Sequence, residues 1–111
     1  MTRVRPQAVQ ADPEHRLLLR TRLNAAACAY VAEVRLTPAL YGGGTVWCAM
    51  ALAADRRELP LPKGAARVIS GLMRAAFPTT RWDRPQDYDV TTGVLAEHVT
   101  LVPAALTGSA R

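Results

Sequence analysis

Aromatic side chains make up only 5% of this 111-residue chain. Leu, Val and Ala must therefore fill most of any core, which packs closely but gains little per side chain. Lysine is almost missing, with Lys63 standing against 13 Arg. Cysteine is limited to Cys28 and Cys48, too few for a disulfide framework and not spaced as CxxC. The histidines are His15 and His98 alone, with no HxxxH or HxxE spacing, so neither a metal nor another cofactor is expected. The longest apolar run, 46–54, is nine residues and cannot span a bilayer. The opening MTRVRPQAVQADPEH has basic residues but no apolar stretch suited to a secretory signal. These absences lead us to expect a cytoplasmic protein with reduced thiols and no membrane association. Both Cys sit among apolar neighbours, AACAY and VWCAM, and are expected to act as small core hydrophobes.

What is present is half hydrophobic and strongly basic, with a net charge of +5. That content excludes a wholly disordered chain, and the length suits one domain with a core of its own. Abundant Arg and Ala resemble the usage of GC-rich bacterial genomes, which speaks to origin rather than mechanism. The charge is uneven. Residues 1–24 carry five Arg against Asp12 and Glu14, and residues 55–74 carry five cations against Asp55 and Glu58. Residues 75–111 are slightly acidic. Two basic segments favour nucleic acid or an acidic protein as partner.

The pattern along the chain predicts an α+β domain over residues 12–103, between a basic arm at 1–11 and a tail at 104–111. Asp12-Pro13-Glu14 is a helix start, the carboxylate capping first-turn N–H groups and Pro fitting the first helical position. Helical periodicity then runs to about Arg35, with Leu19, Leu23, Ala26, Ala27, Tyr30 and Val34 on one face and a smooth Ala25, Ala29, Ala32 face opposite. A long first helix with such a face suits homodimer formation. Thr37-Pro38 is read as the end of regular structure. Gly42-Gly43-Gly44 lacks GK[ST] and GxGxxG surroundings and is read as a turn rather than a phosphate loop.

Residues 45–62 are read as a hairpin that sends Val46, Cys48, Met50 and Leu52 to the core. A helix there would give an all-α bundle instead. In RWDRPQDYD, Trp82 and Tyr88 lie beside Arg81 and Arg84, as base-stacking residues do. Asp83, Asp87 and Asp89 would repel phosphates, so a loop pinned by Trp82 is the better reading. A second hairpin centres on Gly93, which supplies the positive φ of a short turn.

Lys63–Phe77 is the most informative stretch. On a helix, Lys63, Arg67, Ser70 and Arg74 fall within about 60° of one another, with Ala65, Val68, Ile69, Leu72 and Ala76 opposite. No nucleophile, base and orienting group converge in the sequence, so no catalytic residues are expected. His15 lies in a first helical turn, and His98 next to Glu97 would point away from it on a strand. No spacing supports a Cys48–His98 thiol pair. The expectation is a non-enzymatic accessory or regulatory protein that contacts nucleic acid through Lys63, Arg67, Ser70 and Arg74. The alternative is a protein-interaction module that presents the same stripe to an acidic partner surface.

Overall fold

The computed structural model describes residues 8–99. Among these residues two helices and a six-stranded antiparallel sheet form a mixed α+β domain, and an all-α bundle is not what the chain adopts. In chain order the elements are β1 (Val9–Gln10), α1 (Pro13–Ala27), β2 (Glu33–Tyr41), β3 (Gly44–Leu52), β4 (Glu58–Leu59), α2 (Ala65–Ala76), β5 (Gln86–Asp89) and β6 (Val94–Glu97). Across the sheet the order is β1-β6-β5-β2-β3-β4.

The start of α1 follows from its sequence. Asp12 Oδ1 accepts from the His15 N–H at 2.9 Å, with Pro13 in the first turn. That bond and the His15 imidazole hold the exposed Asp12 carboxyl below its ordinary value. The helix is shorter than its periodicity predicts. It closes at Cys28, whose backbone is left-handed at φ 53° and whose N–H bonds back to Asn24. Asn24 then accepts from the Val31 N–H at 2.8 Å, turning the chain toward β2. Tyr30 is consequently exposed, and Val34 enters the core from a strand instead of a helix. At the N-terminus, Val9 and Gln10 pair with β6 and Ala11 is buried, so the fold begins before Asp12. Residues 1–7 and 100–111, which include most of the expected arm and the whole expected tail, lie outside the described residues.

Pro38 does not end regular structure. Strand β2 continues through it to Tyr41, where Gly42 (φ 58°) and Gly43 (φ 83°) make a two-residue turn into β3. Positive φ at both positions is the type I′ geometry that matches strand twist. The 45–62 hairpin forms as β3 and β4, but its faces are the reverse of the expectation. Trp47, Ala49 and Ala51 pack toward the helices, while Val46 and Cys48 are exposed and Met50 is half-buried. Of the four residues assigned to the core, Leu52 alone is buried. Both Cys are exposed, against expectation. Small side chains at 49 and 51 let α2 close on this face of β3.

Helix α2 is rotated from its predicted orientation. Ile69, Ser70 and Met73 are buried, whereas Val68 is 56% exposed and Leu72 half-buried. The Ser70 hydroxyl donates to the Arg67 carbonyl at 2.9 Å, which removes most of the penalty for burying it. The core under both helices gathers Leu19 and Leu23 with Val34, Leu36, Phe77, Tyr88 and Leu95. Phe77 and Tyr88 meet edge-on at 5.7 Å. Gly93 closes the β5–β6 turn at φ 75°, where an added Cβ would lie 2.7 Å from Arg16 Cδ.

Two outcomes follow. In chemical denaturation, Met73→Ala should cost about 2–5 kcal/mol as a cavity in the core, and Val68→Ala under about 1 kcal/mol. Equal effects would place α2 in the wrong rotation. The Tyr88 hydroxyl is buried without a partner, and burial raises its pKa above 10.0, partly offset by Arg16 and Arg20. The unfolded chain then loses this proton first, so stability should fall as pH rises past about 10. Tyr88→Phe should flatten that alkaline limb and change neutral-pH stability by less than about 1 kcal/mol.

Candidate functional site

The β2–β3 hairpin is longer than the sheet beside it. Strand β5 pairs with β2 only as far as Leu36, and β4 pairs with β3 only at Ala51 and Leu52. The rest of the hairpin, Thr37–Met50, has no further strand paired beside it and extends as an arm. Between this arm and α2 runs an open groove of about 1040 Å³. That is as large as the largest small-molecule pockets, which run to about 1,000 Å³, and more open than an enclosed site.

Pro38, Leu40 and Thr45 line the groove from the face of the arm that also carries Trp47, and Ala39 and Val46 of the alternate face line it as well. Leu40 is 89% exposed, as is much of neighbouring Tyr41. The opposite wall is α2, with Arg67 and Arg74. At the base, Trp47 and Trp82 meet edge-to-face with centroids 5.8 Å apart, and the Arg74 guanidinium lies 5.6 Å from the Trp47 centroid. Trp82 is pinned as the sequence suggests, its indole N–H donating to the Phe77 carbonyl at 2.9 Å. Asp83 stands at the rim 3.2 Å from Arg81, whose hydrogen bond holds the carboxyl below its ordinary value.

The predicted stripe is divided. Arg67 and Arg74 share the groove, and Arg74 Nε donates to the Ser70 carbonyl at 3.2 Å. Ser70 forms part of the floor, but its hydroxyl is already bonded within the helix. Lys63 lines a separate hollow of about 480 Å³ with Arg22, Val68 and Leu72. The apolar wall was not part of the sequence expectation, and Trp82 was expected as a loop anchor rather than as a groove residue. The run of exposed Leu40 and Tyr41 before three Gly was the available signal.

Arginines on and beside the sheet have acid partners. Arg35 reaches Asp87 at 2.8 Å and Arg56 reaches Glu33 at 2.7 Å. Arg84 meets Glu97 at 3.0 Å, a hydrogen bond that raises the arginine's pKa further. Arg67 and Arg74 have no carboxylate within 4.0 Å among the described residues. His98 bonds Asp87 at 2.7 Å. It follows β6, which lies three strand spacings, about 14 Å, from the β3 strand that carries Cys48, so the two do not meet.

Compared with protein-family models, curated proteins and solved structures, the chain matches none. No helix among the described residues is long and apolar enough to cross a membrane.

Trp47 and Trp82 are the only tryptophans, so their emission reports the groove base directly. Arg74→Gln should shift that emission and lower stability by about 0.5–1 kcal/mol through loss of the cation–π contact. An unchanged spectrum would remove Arg74 from the Trp47 face.

Proposed function

We propose that this chain is a non-enzymatic interaction module whose groove receives an acidic segment of a partner polypeptide. One observation carries the reading: Arg67 and Arg74, the groove's acid-free cations, lie with the arm's apolar residues around an open trough of about 1040 Å³. Exposed arginines beside aromatic and aliphatic surface favour a chain that brings carboxylates and apolar side chains together. Nucleic acid fits the groove less well. The Arg74 guanidinium sits over the Trp47 ring and Trp82 packs edge-on against it. Bases would find few free stacking faces there.

Binding of labelled acidic peptides and of single-stranded DNA and RNA to the full chain tests the reading. Two peptides of one composition serve, one alternating Glu and Val and one with the Glu and Val in separate blocks. At least one peptide should bind, and Arg67→Glu with Arg74→Glu should weaken it at least about tenfold, or 1.4 kcal/mol. Lys63→Glu should leave binding unchanged. Tighter binding of DNA or RNA, with a log–log salt slope of about −0.7 per phosphate contacted, would replace this reading with the nucleic-acid one.

A further inference from the structure

The groove's arm carries an unusual edge. From Gly44 to Met50, β3 is paired on one side with β2 and open on the other, because β4 covers only Ala51 and Leu52. Pro60 follows β4 directly and has no N–H with which to extend that ladder. Beyond the β2 ladder, no backbone group of Gly44–Met50 bonds to another backbone group among the described residues. Edge strands are normally blunted by charge, proline, bulges or shortness. The outermost strands, β1 and β4, are two residues each, and the open edge of β2 beyond Leu36 carries Pro38. Gly44–Met50 has neither charge nor proline.

Resting on the groove reading, we propose that the partner segment docks as an added β-strand along Gly44–Met50. Its chemistry follows from the alternation of β3. On one face an added strand would lie beside Thr45, Trp47 and Ala49, toward α2 and the acid-free Arg67 and Arg74. On the other face it would lie beside Val46, Cys48 and Met50, which offer no charge. The fitting partner is an extended segment with acidic residues at alternate positions and apolar residues between them. Arg67 and Arg74 are seven residues apart, about 10.5 Å along the helix. Acids at i and i+2 or i+4 of a strand stand about 6.8 or 13.6 Å apart, a separation of the same order as that of the two arginines. A second copy of this chain fits the edge poorly. Antiparallel pairing of β3 with β3 would bring two Arg67–Arg74 pairs onto one face, and like charges repel there.

The test uses the full chain and the labelled alternating Glu-Val peptide, with its block isomer as control. The alternating peptide should bind at least about tenfold tighter. In an added strand, alternate residues direct both backbone groups at the edge and the others direct both at solvent. Backbone N-methylation of one alternate set should therefore weaken binding at least about tenfold, and of the other set less than about twofold. Amide exchange should slow at alternate positions within Gly44–Met50. Equal loss from both methylated sets, or equal binding of the block isomer, overturns strand addition and leaves the groove reading standing. No binding of either peptide overturns both. A dimer of the free chain with protected β3 amides overturns the proposal in favour of a second copy.

Discussion

The mismatch in strand length governs this molecule. Strands β2 and β3 are nine residues each, while every other strand has four or two. A sheet of equal strands would close its inner face completely under two helices. Here the long hairpin continues past its neighbours, so its inner face meets α2 and the Trp82 loop across a space that no side chain fills. The type I′ turn at Gly42-Gly43 sustains the mismatch, because it returns the chain in register from Tyr41 to Gly44 without splaying the strands. Trp47 is the joint between core and arm. Small Ala49 and Ala51 lie on its core side and exposed Thr45 on the other, with Trp82 and Arg74 wedged against its ring.

The charge distribution turns on the same geometry. Strands bring acids and arginines opposite one another, and Arg35 finds Asp87 across the β2–β5 ladder, within reach of Glu33, which also holds Arg56. These groups neutralise one another across the sheet. The helix layer has no equivalent supply of acids. Arg67 and Arg74 therefore remain without acid partners among the described residues, and they are the two cations that line the trough beside the arm.

Several elements were legible because their signals are local. Asp12-Pro13 starts a helix through groups within one turn, Gly93 supplies a left-handed backbone where its turn needs one, and Pro78 follows the Phe77 C-cap of α2. The α+β class was legible in the same way, since the 45–62 hairpin competed with a helix on length and turn chemistry alone. Other readings failed where two patterns coincided. Residues 29–35 keep helical spacing of apolar groups, yet Asn24 captures the Val31 N–H and the chain leaves the helix. Val68 and Ser70 exchange places relative to hydrophobicity, because α2 is oriented by what it lies on. A hydroxyl bonded within its own helix is cheap to bury, and a valine at the rim is tolerated.

The amino-acid sequence by itself determined the two helix sites, both tight turns and the presence of an amphipathic basic helix. Each is decided within a few residues by dihedral preference, capping or periodicity. It also determined that β3 alternates, since period two is a property of any strand. Which side of that alternation faced the core was decided only in the tertiary structure. Either side of TVWCAMAL is apolar, and the choice fell to the helices that cover Ala49 and Ala51. The separation of Lys63 from Arg67 and Arg74 was decided there too. On an isolated helix the three share one face, but the arm shelters only the part of that face it overhangs.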